Sequence, residues 1–198
     1  MQIKTLAAAA AAAGIASVAS ADLAVFSQYV VWEAFAAANG DDVVFAETFD
    51  AYDGFLDNGT SGSLGPITWS AEADGGLFAN GDYFSTNAAD VDLVFTFDPG
   101  VYGVGGNFFG TDIDFNVVPS VVEVSLADGT SYVAGIDSAD AFVGFYSTDA
   151  SISEISIYAL DGSNPIYATA DNMFVAVPAP GVLALLGVAG LGSRRRRG

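Results

Sequence analysis

The sequence contains no cysteine and no histidine, and it has only five basic residues. These five lie at the two ends of the chain: Lys4, Arg194, Arg195, Arg196 and Arg197. The lack of cysteine excludes disulfides and thiolate chemistry. Because the stretch from 22 to 177 has no histidine, lysine or arginine, it cannot form a Ser-His-Asp triad, a Schiff base or an arginine clamp. We therefore expect a protein that is not an enzyme.

All 24 acidic residues lie between Asp22 and Asp171, and the formal net charge is -19. Ion pairs are impossible within that stretch, and its like charges repel one another unless salt or divalent cations screen them. Nucleic-acid binding is excluded because no side chain there can neutralise a phosphate. Binding of that stretch to an anionic membrane surface is disfavoured for the same reason.

The N-terminal segment has the parts of a secretory signal peptide. A lysine is followed by an uninterrupted apolar run over 6–16, and Ala19 and Ala21 fit the small-x-small cleavage rule. The run is too short for a transmembrane helix, which needs about 20 residues. We predict that residues 1–21 are a helical signal peptide cleaved before Asp22. The alternatives are an uncleaved anchor and an alanine-rich cytosolic helix.

The C-terminal segment, residues 177–198, has three parts in a fixed order. The first part is Val177, Pro178, Ala179, Pro180 and Gly181. Its two prolines cannot continue a helix or a central strand. A compact apolar run over 182–191 follows, and the arginine cluster 194–197 comes last. An apolar segment that ends in a basic cluster stops in a membrane with the cluster on the cytoplasmic side.

This order of parts resembles the PEP-CTERM sorting signal, the tail of bacterial exosortase substrates. In that family a Pro-Glu-Pro-like motif precedes a hydrophobic helix and an arginine-rich terminus. Ala179 stands where the family usually has Glu, and the apolar run spans only about 15 Å as a helix. The resemblance implies an exosortase-like partner and transient membrane insertion through the tail. It also implies a final location at the cell surface, in the outer envelope or in the extracellular matrix of a bacterium.

The stretch between the two ends, residues 22–176, contains short strand-like runs separated by Gly, Asn, Asp and Pro. The predicted strands are Val43–Phe49, Ile67–Ala71, Val91–Phe97, Val101–Phe109, Ala141–Tyr146, Ile152–Ala159 and Met173–Val177. The run 91–97 alternates cleanly, which places its odd-numbered residues on one face. Gln28–Ala38 has helical spacing, but part of it would also serve as a strand, so both states stay open.

An Asp-Gly pair at 128–129 separates Val121–Leu126 from Ser131–Val133, which indicates a hairpin. Short strands with turns about every eight to twelve residues predict an all-β fold. We expect a single β-sandwich or jelly roll, flanked by the N-terminal signal helix and a short C-terminal hydrophobic helix.

The order of short motifs in this stretch is similar to that of jelly-roll ectodomains found upstream of such tails. The motifs are Glu47-Thr48-Phe49-Asp50, Gly144-Phe145-Tyr146 and Asp171-Asn172. Those ectodomains look like carbohydrate-binding modules. The resemblance therefore implies a polysaccharide as an alternative partner.

Calcium is the cofactor that the residues favour, because a hard cation needs only oxygen ligands and would relieve the repulsion between acids. Asp50 and Asp53 follow the first strong strand, and Asp171 and Asn172 precede the last. The first and last strands of a jelly roll often lie side by side, which would bring these four residues together. The alternative is that they are solvated acids in turns.

Two further hypotheses depend on the acids and the rings. Two carboxylates about 5 to 9.5 Å apart in a cleft would hydrolyse glycosides, but close pairs arise by chance among so many acids, so a glycosidase is the least favoured hypothesis. Trp69, Tyr83 and Phe84 are the first residues to inspect for a sugar-stacking platform. The alternative is that these rings belong to the core.

The leading hypothesis is a non-enzymatic secreted surface or matrix protein that is sorted through its tail. The alternative is a carbohydrate-binding module of the cell envelope or the exopolysaccharide.

Overall fold

The computed structural model describes residues 23–57, 59–81, 83–126, 131–148, 151–160 and 164–179. The predicted signal peptide, with Ala19, Ala21 and Asp22, lies outside these residues, and so does the tail from Pro180 onward with its arginine cluster. Of the sorting motif, only the first three residues are described. The predicted terminal helices therefore stay predictions.

One helix and fifteen strands are present within the described ranges. The helix α1 is Tyr29–Ala38. The strands are β1 Leu23–Phe26, β2 Asp41–Glu47, β3 Asp53–Leu56, β4 Thr60–Leu64, β5 Ile67–Glu72, β6 Leu77–Asn80, β7 Phe84–Thr86, β8 Leu93–Phe97, β9 Gly103–Thr111, β10 Val117–Val118, β11 Ser120–Leu126, β12 Ser131–Ile136, β13 Phe142–Ser147, β14 Glu154–Leu160 and β15 Tyr167–Pro178.

These strands form two antiparallel sheets. Across the described residues, the larger sheet has nine strands in the order β1-β13-β9-β15-β7-β6-β3, with β2 also paired to β15 and β10 to β9. The smaller sheet has the order β12-β11-β14-β8-β5-β4. Buried side chains of both sheets meet in one hydrophobic cluster, as in a β-sandwich. The predicted all-β sandwich is confirmed.

Strand alternation in the smaller sheet explains how this core is built. β5 and β8 bury every second residue, so Trp69 and Phe95 point inward while their neighbours face outward. From the larger sheet, Phe84 stacks on the buried Phe49 with ring centroids 4.9 Å apart. Trp69 packs edge-on against Phe49 at 5.8 Å. The odd-numbered face predicted for the run 91–97 is confirmed for Leu93, Phe95 and Phe97.

The helix α1 covers one half of the outer face of the larger sheet, so the segment whose state the sequence left open is helical. Trp32 is fully buried there, and its indole N–H donates a 2.9 Å hydrogen bond to the carbonyl of Phe145. Gly103 and Gly144 make room for the indole, since a Cβ at either position would lie 2.9 Å from it. The helix is therefore held by a second apolar cluster on the outside of the sandwich.

The predicted strands all correspond to strands of the structure, although their boundaries shift by a few residues. The predicted hairpin is confirmed by the antiparallel pairing of β11 with β12, and its turn lies outside the described residues. Six strands were not predicted: β1, β3, β4, β6, β7 and β10. Most of these are short, and several are rich in glycine or polar residues.

The last strand extends into the predicted sorting motif. β15 ends at Pro178, which pairs with Asp41 of β2, and Val177 is buried. Proline is tolerated there because β9 pairs with β15 only as far as Ala176, so no second strand needs the missing N–H. The folded domain thus continues two residues beyond residue 176, the end of the predicted ectodomain.

None of the described residues belongs to a helix that is long and apolar enough to cross a membrane.

Candidate ligand-binding cleft

A cleft of about 220 Å³ opens on the half of the larger sheet that α1 leaves uncovered. Its position follows from strand alternation: Leu77 and Ala79 of β6 are fully buried in the core, so Phe78 between them faces outward. Ser85 of β7 is the register partner of Phe78 and faces the same way. The cleft is lined by Phe78, Ser85, Thr86, Asn87, Asp112, Ile113, Phe115 and Tyr167.

One wall of the cleft is the loop 112–116, which joins β9 to β10. The carboxylate of Asp112 accepts 2.9 Å hydrogen bonds from the backbone N–H groups of Asp114 and Asn116. The side-chain amide of Asn116 donates to both oxygens of the same carboxylate, at 3.2 and 3.0 Å. These bonds hold the pKa of the Asp112 carboxyl below its ordinary value, with the side chain of Asn116 as the main cause.

The same loop holds an aromatic ring in an unusual backbone conformation. Phe115 has a φ of 62°, in the left-handed region that bulky residues rarely adopt. Its N–H donates to the carbonyl of Asp112 at 3.1 Å, and its ring lies 5.3 Å from that of Phe78. A residue held in this region costs about 1–3 kcal/mol and persists only where its surroundings determine it. The loop therefore fixes the ring in place.

Beneath the cleft, buried hydroxyl groups connect the strands. Ser85 is the register partner of Thr169 on β15 and is almost fully buried. The hydroxyl of Thr169 lies 2.9 Å from that of Thr111, and it also donates to the carbonyl of Tyr167 at 3.1 Å. The first of these bonds ties β15 to β9, and the second lies within β15. The floor of the cleft is therefore joined by buried hydroxyl groups, whereas aromatic rings line the cleft itself.

A second hollow of about 400 Å³ continues from the first. The two share the residues Asp112, Ile113 and Tyr167. Ile113 projects into solvent with 72% of its surface exposed, and exposed Asn164 and Pro165 line the far side of the second hollow. Because the two hollows share three lining residues, they are neighbours on this face of the protein, and we call the pair the loop groove.

Among the described residues, the loop groove is lined by one carboxylate, that of Asp112, which already accepts hydrogen bonds from the loop. A glycosidase needs a second carboxylate facing the same bond, and no other acid of the described ranges lines either hollow. A separate hollow of about 520 Å³ is acidic but has no aromatic wall. It is lined by Glu72, Ala73, Asp74, Asp90, Val91, Asp92 and Val94.

The structure separates the residues that the sequence suggested for calcium. β2 and β15 do lie side by side, so Asp50 follows β2 at the end where Asp171 and Asn172 lie. Asp53, however, is on β3, and β6 and β7 stand between β3 and β15, about 14 Å at ~4.8 Å per strand. Within the described ranges, no group of three or more Asp, Glu, His or Cys side chains could hold a metal ion. Calcium binding by these residues stays a prediction.

The aromatic residues first considered for a sugar platform lie elsewhere. Trp69 is 1% exposed and Phe84 is fully buried, because both are on inward-facing positions of their strands. Tyr83 is half-buried and packs edge-on against Phe109 at 5.1 Å. For Trp69 and Phe84 the platform interpretation is wrong, and the alternative that they belong to the core is confirmed.

The residues of the loop groove were not identified from the sequence, because they come from four separate segments that only strand pairing brings together. A local signal was available in Asp112-Ile113-Asp114-Phe115-Asn116. This is a short polar loop that directly follows a buried strand and yet carries a large aromatic and an aliphatic residue. Such residues in an exposed loop are a hint of function, because binding residues are disproportionately carried on loops.

Comparisons with known proteins give distant structural similarity and nothing nearer. The chain matches no protein-family model, and no curated protein matches it. Among solved structures it is similar to the CBM22-1 xylan-binding domain of Xyn10C from Paenibacillus barcinonensis, at 13% sequence identity and a TM-score of 0.35. The match covers 71% of this chain and 97% of that domain. At this identity and TM-score, the ligand of that domain says nothing about the ligand of this chain.

Proposed function

We propose that this protein is a non-enzymatic carbohydrate-binding protein of the bacterial cell envelope or exopolysaccharide, and that the loop groove holds the sugar chain. The observation that carries this proposal is the pair of rings, Phe78 and Phe115, whose centroids lie 5.3 Å apart in a hollow that Tyr167 and polar side chains also line. Sugar rings have apolar C–H faces that pack on flat aromatic surfaces, while their hydroxyls bond to amides and carboxylates. The loop groove offers both kinds of contact in one place.

Preorganisation supports the same proposal. A flexible loop would lose conformational entropy on binding, which weakens affinity by about 0.5–1.5 kcal/mol for each immobilised side chain. Here the Asp112 carboxylate and the hydroxyl of Thr169 hold the loop and the β15 floor before any ligand arrives. The rings therefore hold their positions before the ligand binds and do not have to be ordered by it.

The experiment that tests the proposal is affinity electrophoresis of residues 22–179 in gels that contain soluble polysaccharides. We expect retardation by at least one polysaccharide, and Phe78→Ala or Tyr167→Ala should each weaken binding at least about tenfold, or ~1.4 kcal/mol. The matched control is Tyr158→Ala, a half-buried tyrosine on β14 of the other sheet. Its binding should equal that of the parent protein.

Two results would contradict the proposal. If no polysaccharide slows the migration of the protein, the proposed carbohydrate-binding function is wrong. Equal losses in the Tyr158 and Tyr167 variants would mean that binding does not occur in the loop groove. Thermal melts of each variant separate a loss of binding from a loss of folding.

Export and sorting complete the proposed function. We propose that residues 1–21 direct secretion and that the tail from Val177 is recognised by an exosortase-like enzyme. The support is the order in the sequence of a signal-like segment, an acidic domain and a tail with an arginine cluster. Because β15 extends to Pro178, a cut beyond that residue would leave the folded domain intact.

A further inference from the structure

We infer that the loop groove binds the interior of an uncharged polysaccharide chain and rejects anionic polymers such as polyuronates. This inference rests on the proposed carbohydrate-binding function and names the class of its ligand. Two independent observations carry it: the distribution of charge in the domain and the two neighbouring hollows with their shared lining residues.

The charge distribution argues against an anionic ligand. Between Asp22 and Val177 the chain has no lysine, arginine or histidine. A polyuronate carries a negative charge on every sugar, and these charges would enter the field of an acidic domain with no cation to pair with. Asp112 lies in the groove itself, and an aspartate is ionised at neutral pH.

A cationic glycan gains little from the groove either. The one carboxylate that lines the groove among the described residues already accepts hydrogen bonds from two backbone N–H groups and from the amide of Asn116. Its Oδ1 accepts three of these contacts and its Oδ2 one, so an ammonium group would find one partly occupied oxygen besides the general attraction of the acidic surface. Salt screens that general attraction. An uncharged sugar, in contrast, needs only the rings and the hydrogen-bonding groups.

The two neighbouring hollows argue for the interior of a chain. The first hollow, at about 220 Å³, is smaller than the roughly 300–1,000 Å³ of pockets that enclose drug-sized ligands. A ligand longer than a sugar unit or two therefore extends beyond the first hollow, and a chain that runs past Tyr167 and Ile113 meets the second. Because Asn164 and Pro165 in the lining of the second hollow are exposed, a chain can continue into solvent on that side.

The test is isothermal titration calorimetry of residues 22–179 with EDTA present, which removes calcium bridging. The probes are neutral xylose or glucose oligomers of two and six units and a galacturonate hexamer. We expect a neutral hexamer to bind at least tenfold more tightly than its dimer, with less than a twofold change in Kd between low and physiological salt. The galacturonate hexamer should bind at least 100-fold more weakly at low salt.

A variant that fills the second hollow tests the length requirement. Asn164→Trp should reduce the affinity for the neutral hexamer to that for the dimer and leave dimer binding unchanged. Tight galacturonate binding, or a dimer that binds as well as the hexamer, would overturn this inference while the carbohydrate-binding function stands. If no glycan of any charge binds, both fail together. A melting temperature for Asn164→Trp within about 2 °C of the parent value confirms that its fold is intact.

Discussion

The hydroxyl of Tyr146 donates a 2.7 Å hydrogen bond to the carboxylate of Asp41, across 105 residues of sequence. Tyr146 lies on β13 under the helix, and Asp41 is the first residue of β2, just after the helix ends. Both residues are buried. The bond therefore fastens the C-terminal end of the α1 segment to the outer face of the larger sheet.

Tyr146→Phe should destabilise the domain by about 2 kcal/mol, because a hydrogen bond to a charged group contributes roughly 1.5–3 kcal/mol. For a domain of this size the melting temperature should fall by roughly 4–8 °C. The measurement is thermal unfolding followed by circular dichroism. A variant that melts with the parent protein would show that the bond adds nothing to stability.

The same bond predicts a loss of stability at alkaline pH. Burial, followed by the hydrogen bond and the charge of Asp41, raises the pKa of Tyr146 above its ordinary value of 10.0. Above about pH 10 the unfolded chain releases this proton while the folded chain retains it, so the free energy of unfolding falls as pH rises. Urea midpoints from pH 8 to pH 11 should show this slope. The slope should be smaller in Tyr146→Phe but not zero, because burial also raises the pKa of Tyr29 and Tyr52.

The packing of Trp32 against the outer face of the larger sheet gives a third prediction, with a control in the same fold. A Cβ on Gly144 would lie 2.7 Å from the ring of Phe142 and 2.9 Å from that of Trp32. Gly144→Ala should therefore cost about 1–3 kcal/mol through overpacking. Gly135 on β12 has no atom within 4 Å of the same position, so Gly135→Ala should leave stability unchanged or raise it slightly. Chemical denaturation of the two variants side by side is the measurement.

The strained loop residue gives a prediction that separates stability from binding. Phe115→Gly removes both the ring and the strain of a positive φ, which amounts to about 1–3 kcal/mol for a bulky residue. We expect a melting temperature equal to or above that of the parent protein, together with at least tenfold weaker glycan binding. A stable variant that still binds glycan at full strength would show that the ring of Phe115 does not contribute to binding.

The sequence was sufficient for the fold class and for the longer strands, because a buried strand leaves a strong periodic pattern in runs such as 91–97. It was insufficient for short strands such as β7, which has three residues and is specified by its neighbours in the sheet. The sequence was also insufficient to identify Gly103 and Gly144, which make room for the indole of Trp32. Among the 23 glycines of the chain, these two stand out only once the helix is placed over the sheet.

The site was not predictable for a related reason. Aromatic residues are common in this chain, and sequence alone cannot tell an inward position from an outward one on a short strand. Phe78 and Phe84 are close in sequence, yet one lines the groove and the other stacks in the core. Their roles are decided by the register of β6 and β7, which depends on pairing with β15.

The ends of the chain give a prediction for the protein in cells. Deleting residues 181–198 should release the protein into the medium, because the apolar run and the arginine cluster are removed while β15 is kept whole. The N-terminus of the released protein should be Asp22. Cell fractionation and mass spectrometry check both points. Retention of the truncated protein in the membrane fraction would contradict the sorting role of the tail, and an N-terminus at Met1 would contradict signal cleavage.

The excess of negative charge gives the last prediction. Folding brings the acids of residues 22–177 closer together with no cation among them, so self-repulsion opposes the compact state. The Debye length falls from about 30 Å at 0.01 M salt to about 10 Å at 0.1 M, so added sodium chloride should raise the melting temperature.

Calcium at about 5 mM should raise the melting temperature further than sodium chloride of equal ionic strength if the folded form binds the ion. Asp171→Asn should abolish that extra increment, whereas Asp137→Asn, an equal charge change in the exposed segment after β12, should retain it. If the melting temperature rises with salt but calcium adds no further increment, the predicted metal site is wrong. If neither salt nor calcium changes the melting temperature, repulsion between the acids does not limit stability.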